Sequence, residues 1–162
     1  MNRGSEWRKW DLHVHSPASF HHLFKLQNQE EEEYQNDIWE KYIRVLEKIS
    51  DTSVIGITDY FTIDGYKQVL ENRKNGRLKN FNLILPNIEF RLDKFVENRR
   101  LNYHVIFSDG IDPEMIDKEF LEALNIKTQT GEPRRLSKKN IEEIGKRLKE
   151  QQKNFQGESD YV

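Results

Sequence analysis

The stretch of sequence that decides the fold is WDLHVHS, residues 10–16. Apolar and polar residues alternate in it, and this period of two is typical of a β-strand. On a strand, His13 and His15 point to one face, and Trp10, Leu12 and Val14 point to the other. Two neutral imidazoles on one face can bind a transition metal, because each offers a ring nitrogen. Histidine on a strand is also an ordinary polar residue, so the pair alone leaves both interpretations open.

The composition predicts one folded domain, or part of a larger one, in the 162 residues. Apolar residues make up 35% of the chain but are strongly clustered, which favours a folded protein over a disordered one. The net charge of -2 provides no general attraction to nucleic acid. The sequence has no cysteine, so a metal would be held by nitrogen and oxygen ligands. No leader and no run of about 18 apolar residues is evident, which predicts a cytoplasmic protein without a membrane partner.

Helical and strand patterns alternate after the first strand. Helical spacing predicts helices over residues 37–49 and 65–74, and short apolar runs predict strands over 54–60, 81–90 and 102–107. Residues 91–101 are too few for a crossover helix, so this link is expected to be antiparallel or irregular. Further on, the sequence predicts a helix opening at Asp112-Pro113, a polar loop over 127–135, and a last helix from Ser137 to about residue 155.

Metal-binding residue types recur on the later predicted strands. Asp59 ends the second strand, Glu89 ends the third and His104 lies in the fourth. Because the C-terminal ends of parallel strands line one edge of a sheet, we expect these side chains to approach His13 and His15. Each has a plainer interpretation: Asp59 as a helix cap, Glu89 as an ion-pair partner of Arg91, and His104 as a core histidine.

Three further polar features have open interpretations. His21 and His22 follow the first strand closely, so either is a solvated loop residue or an additional ligand. The acidic run at 30–33 is a solvated insertion, the start of a helix or an acidic binding site. A basic cluster is either solvated surface or a contact for a phosphate backbone, and consists of Arg134, Arg135, Lys138 and Lys139.

The motifs at residues 10–16 and 57–59 (ITD), with Glu89 and a strand histidine, resemble the first motifs of PHP domains, the polymerase and histidinol phosphatase superfamily. The longer strings GSEWRKWDLHVH, residues 4–15, and TDYFTIDGY, residues 58–66, are similar to the TrlF-type group within it. In that group a PHP domain precedes an ATPase of the kind found in chromosome-maintenance and DNA-repair proteins, and some relatives serve in anti-phage defence.

This resemblance implies an α/β fold, a distorted, TIM-like (β/α)7 barrel with a site for two or three divalent metal ions. About four strands with crossover helices are recognisable, so residues 1–162 are expected to form the N-terminal part of a single PHP-type domain, truncated before the closing strands. His13 and His15 would match the pair of ligands of one metal, Glu89 the bridging carboxylate, and His104 a ligand of the second metal. Asp59 is the candidate catalytic residue, which would orient the attacking water or a ligand histidine.

The sequence departs from the PHP pattern at two points. Tyr60 stands where the common Thr-Asp-His motif has a histidine, and no histidine follows His104, so the later histidine and the closing Asp-x-His motif are absent. The leading hypothesis is a phosphoesterase or nuclease that uses zinc, manganese or iron and acts on a phosphoester or nucleic acid, together with an ATPase domain or partner chain. The alternative is a catalytically inactive PHP remnant that acts as a binding or regulatory module.

Overall fold

The structure is a computed structural model that describes residues 7–19, 31–97, 99–127 and 133–151, with the backbone alone for residues 31–37, 93, 94, 148, 149 and 151. His21 and His22 lie outside these residues. The chain divides into two compact units, Met1–Gly110 and Ile111–Val162. None of the helices in the described ranges is long and apolar enough to cross a membrane.

The first unit is a mixed α/β arrangement around a four-stranded sheet. Its elements are β1 (Lys9–His15), α1 (Glu31–Glu47), β2 (Thr52–Tyr60), α2 (Asp64–Lys74), β3 (Leu83–Val96) and β4 (Arg99–Ile106). The strand order is β1-β2-β3-β4, with β1–β2 and β2–β3 parallel and β3–β4 antiparallel. The predicted α/β class is confirmed, and a sheet of this order is compatible with part of a barrel.

The link predicted over residues 91–101 is an antiparallel hairpin. β3 and β4 continue through it, and Phe95 pairs with Arg100 and Val96 with Arg99. The predicted strand ends at residues 90 and 102 were therefore wrong. The reason is that the outer part of this hairpin is exposed: its apolar residues Leu92, Phe95, Val96 and Leu101 lie among charged ones and do not form the continuous apolar run of a covered strand.

Apolar residues cover β2 on both faces, as its nearly continuous apolar run predicts. Every residue of β2 except Ser53 is buried, which is typical of a central parallel strand with helices packed against the sheet. Helix α1 buries one face, formed by Ile38, Tyr42, Ile43 and Leu46. It begins at Glu31 rather than at the predicted residue 37, so most of the acidic run starts a helix.

The second unit is small and built around a short hairpin. Its elements are α3 (Pro113–Met115), a π-helical turn (Ile116–Leu121), β5 (Asn125–Lys127), β6 (Pro133–Arg135) and α4 (Lys138–Gln151). β5 pairs antiparallel with β6, so the prediction of a loop over 127–135 was wrong at both of its ends. In the basic cluster, Arg134 is engaged by Glu143 at 2.8 Å, and nucleic-acid binding there stays a prediction.

Candidate metal centre

Strand pairing brings four of the predicted site residues together. In the sheet, His15 of β1 pairs with Thr58 of β2, Tyr60 of β2 pairs with Glu89 of β3, and Glu89 pairs with His104 of β4. Residues paired across a sheet point to the same face, and His13 shares the face of His15 because it lies two residues earlier. The predicted approach of His13, His15, Glu89 and His104 is confirmed.

The closest donor atoms form a small triangle. The Nε2 atoms of His13 and His15 lie 3.1 Å apart, and the Oε2 atom of Glu89 lies 3.1 Å from the first and 3.3 Å from the second. A cation bound at about 2.0–2.2 Å to three ligands in tetrahedral geometry holds them about 3.3 Å apart. The spacing of these three donor atoms therefore fits one face of a metal coordination shell.

His104 extends this group to a second set of three ligands. His13, Glu89 and His104 each offer one donor atom within 4.8 Å of the others, and together they could hold a metal ion. The rings of His13 and His104 meet edge to face, with centroids 4.6 Å apart. His13 and Glu89 thus belong to both sets.

The polarity of the site suits a cation. Glu89 is fully buried, whereas the side chain of His13 is 50% exposed and that of His15 is 32% exposed. Burial lowers the pKa of His15 and of His104, although the nearby Glu89 carboxylate acts in the opposite direction. The neutral imidazole that these lower pKa values favour is the form that binds metal.

A buried amide fixes the tautomer of His104. Asn87 donates both N–H bonds of its amide, to the Leu12 carbonyl at 2.7 Å and to the Thr58 hydroxyl at 2.9 Å. Nδ2 and Oδ1 of Asn87 lie 3.2 and 3.3 Å from Nδ1 of His104. Because both N–H bonds of the amide are used, Oδ1 is the atom left to accept from Nδ1. With the proton on Nδ1, the Nε2 lone pair of His104 is available to a cation.

His15 and Glu89 have similar supporting contacts. The Ser19 hydroxyl lies 3.2 Å from Nδ1 of His15, which leaves Nε2 for the site. The Asn102 amide donates to Oε1 of Glu89, and Tyr60 stacks on the His15 ring with centroids 5.3 Å apart. Sequence reasoning did not assign roles to Asn87, Ser19 or Asn102. Strand alternation was the available signal, because Asn87 shares a face with Glu89, as Asn102 does with His104.

Asp59 points away from this group, so the prediction that its side chain approaches His13 and His15 was wrong. It pairs with Ile88, whereas its neighbour Tyr60 pairs with Glu89, and successive side chains of a strand alternate between faces. The Asp59 carboxylate accepts hydrogen bonds from the Ser16 hydroxyl at 2.8 and 2.9 Å and from the backbone of Gly65, in the first turn of α2. This arrangement agrees with the plainer interpretation of Asp59 as a helix cap. Its catalytic role stays a prediction, and any action on His15 would pass through Ser16.

The burial of Asp59 predicts a pH-dependent stability. Burial raises the pKa of Asp59 from its ordinary value of 3.8 to about 6, against the hydrogen bonds from Ser16, which lower it. The folded state therefore binds this proton more tightly than the unfolded state. The stabilisation is complete below about pH 4 and is lost as the pH rises through about 6, a change of about 3 kcal/mol.

Urea denaturation of wild type and Asp59→Asn between pH 4 and 7.5, with EDTA present, measures this effect. The free energy of unfolding of wild type should fall relative to that of the variant across this range. Gln68→Ala, which changes an exposed residue without a titratable group, should keep a constant difference from wild type. A difference between wild type and Asp59→Asn that does not change with pH would contradict the prediction.

No protein-family model matches this chain, and no curated protein or solved structure matches it either. The class of protein must therefore be argued from the geometry of the site. That geometry defines a candidate metal centre of three histidines and one buried carboxylate, supplied by β1, β3 and β4.

Proposed function

We propose that this chain is a PHP-type metal-dependent phosphoesterase, with phosphodiesters of nucleic acid among its candidate substrates. The observation that carries the proposal is the triangle of donor atoms of His13, His15 and Glu89, at 3.1 to 3.3 Å, with His104 beside it. Three neutral donors and one carboxylate suit zinc, manganese or iron in the divalent state. The chemistry that a divalent cation would supply at such a site is the activation of water near neutral pH and the neutralisation of charge on phosphoryl oxygens.

The residues of the chain have distinct roles in this proposal. His13 and His15 would hold one cation, and Glu89 would contribute its negative charge to both sets of ligands. Asn87 and Ser19 keep the ring nitrogens of His104 and His15 turned toward the site, as outer partners of metal ligands do. Half of the His13 side chain remains exposed, which leaves the centre open to a substrate from solvent.

His13→Ala tests the proposal directly. Losing a ligand should weaken metal binding by more than the factor of about 10–100 that loss of an outer partner costs. The chain should still fold, because the His13 side chain is half exposed. Bound metal is measured after dialysis against Mn²⁺ or Zn²⁺, and hydrolysis is followed with bis(p-nitrophenyl) phosphate.

Lys9→Ala is the matched control for His13→Ala. Lys9 lies on the same strand and forms an exposed ion pair with Asp51, and such pairs contribute about 0–1 kcal/mol. Its metal content and turnover should equal those of wild type. Equal metal stoichiometry in His13→Ala and wild type would contradict the assignment of this histidine as a ligand.

The alternative function is that of a metal-binding module without hydrolytic activity. It is favoured by Tyr60, which stands where the PHP motif has a histidine. This alternative predicts that wild type binds Mn²⁺ but hydrolyses the diester no faster than His13→Ala does. Turnover that depends on His13 would exclude it.

A further inference from the structure

Arg91 lies next to the candidate metal centre in the sheet. It follows Glu89 by two residues on β3, so its side chain starts from the same face of the strand. Its partner across the hairpin is Asn102, which donates a hydrogen bond to Glu89. The backbone therefore places a cationic side chain beside the buried carboxylate of the site.

Tyr60 holds the guanidinium in position. Nη2 of Arg91 donates to the Tyr60 hydroxyl at 3.1 Å, and the guanidinium carbon lies 5.3 Å from the centre of the Tyr60 ring. The same ring stacks on His15 at an interplanar angle of 24°, and its hydroxyl is hydrogen-bonded to Glu89. The Tyr60 side chain thus contacts both the Arg91 guanidinium and two candidate metal ligands, His15 and Glu89.

The guanidinium keeps most of its hydrogen-bonding capacity. Arg91 is exposed, and a guanidinium has five N–H donors, of which the contact with Tyr60 uses one. Three other arginines are engaged by carboxylates: Arg44 by Glu40, Arg77 by Glu40 and Glu47, and Arg134 by Glu143. Within the described part of the chain, Arg91 has no acidic side chain at ion-pair distance. Its remaining donors are open to solvent, and Tyr60 connects the guanidinium to His15 and Glu89.

We propose that Arg91, positioned by Tyr60, binds the phosphoryl group of the substrate beside the metal centre. This inference rests on the proposed function and names the residue that recognises the anion. A planar guanidinium can donate two parallel hydrogen bonds to two oxygens of one phosphoryl group, and such charge-assisted pairs are about twice as strong as neutral ones. Arg91 would also offset the negative charge of the phosphoryl oxygens, which adds to the negative charge of Glu89 at the centre.

The probe for this site is inorganic phosphate, titrated calorimetrically into the Mn²⁺-loaded chain. Arg91→Gln should weaken phosphate binding about tenfold or more, because it removes a charged, bidentate donor. Arg91→Lys should lie between Arg91→Gln and wild type, since an ammonium keeps the charge without the planar pair of donors. The manganese content should be the same in all three proteins.

Arg100→Gln is the matched control. Arg100 is also exposed on this hairpin and lies over an aromatic ring, with its guanidinium carbon 5.6 Å from the centre of Phe95, outside the cluster of ligands. Its loss should leave phosphate affinity unchanged. A general loss of positive charge would instead weaken binding equally in Arg91→Gln and Arg100→Gln, which would overturn the inference.

The measurements separate failure of this inference from failure of the proposed function. Wild-type phosphate affinity in Arg91→Gln, with manganese retained, would overturn the role of Arg91 and leave the metal centre intact. Loss of manganese in Arg91→Gln would show that Arg91 supports the metal ligands instead of the phosphoryl group, which also overturns the inference. If wild type binds no manganese, the proposed function fails and the inference fails with it.

Discussion

Glu89→Gln is expected to lower the affinity of the chain for Mn²⁺ or Zn²⁺ by more than about 100-fold without unfolding it. Glu89 is fully buried, and its Oε2 atom contacts the ring nitrogens of both His13 and His15. Glutamine has nearly the same shape, and its Oε1 atom can still accept from the Asn102 amide. The substitution therefore keeps the shape of the side chain but removes the negative charge and replaces Oε2, the atom that faces both histidines, by an NH₂ donor.

The effect of added metal on stability provides the measurement. A ligand that binds the folded state alone stabilises it by about 2.7 kcal/mol at a concentration 100 times its Kd. At pH 8, where the lowered pKa values of His15 and His104 keep both rings neutral, wild type should gain this stability and Glu89→Gln should gain less than about 0.4 kcal/mol. Glu71→Gln, which changes an exposed glutamate on α2, should behave as wild type. Equal stabilisation of Glu89→Gln and wild type by metal would contradict the assignment of Glu89.

Most of the candidate site could be predicted because it depends on two simple rules. Alternation along a strand places His13 beside His15, and parallel strand order places their neighbours along one edge of the sheet. His104 required a further step, since β4 is antiparallel and the residue lies inside it. It reaches the site because it pairs directly with Glu89, a register that the sequence does not specify.

The parts of the site that were missed depend on long-range contacts. The amide of Asn87 connects Leu12 of β1, Thr58 of β2 and His104 of β4, and no local pattern predicts such a set of partners. Asp59, in contrast, was predicted at the site and lies on the other face of the sheet. Its position at the end of a strand suggested the site, but strand alternation alone implies that it faces away from Tyr60. The position of a residue along its strand predicts which residues lie near it. The face to which its side chain points depends on the register of the strands and on the alternation of successive residues.

A β-bulge in β1 explains why the residues of this strand do not alternate regularly between exposed and less exposed positions. The register with β2 shifts between Asp11 and Val14, so β1 has an extra residue there relative to its partner. At this bulge, the Leu12 carbonyl is turned across β2 and accepts from the side chains of Asn87 and Thr58. A local pattern of apolar and polar residues does not reveal a bulge, because the residues on either side keep their own period.

Gly56→Ala is expected to destabilise the fold by about 3 kcal/mol and to weaken metal binding in the same variant. A Cβ atom at Gly56 would lie 2.5 Å from the oxygen of Leu12 and 3.0 Å from its carbonyl carbon. These are backbone atoms of the neighbouring strand, so no side-chain rotation can relieve the clash. β1 must move away from β2, and the Leu12 carbonyl must release Asn87 and Thr58.

The loss of metal affinity in Gly56→Ala follows from the same displacement. His13 comes directly after Leu12, and Asn87 sets the tautomer of His104, so a shift of the Leu12 carbonyl moves one ligand and frees the partner of another. Gly110→Ala is the matched control, because a Cβ atom there would meet only the Ser108 hydroxyl at 3.7 Å, an ordinary contact. Urea denaturation with EDTA and a metal titration measure the two effects. Wild-type stability in Gly56→Ala would contradict the close approach of the Leu12 carbonyl to β2. The position of His13 relative to Glu89 would then lose its support.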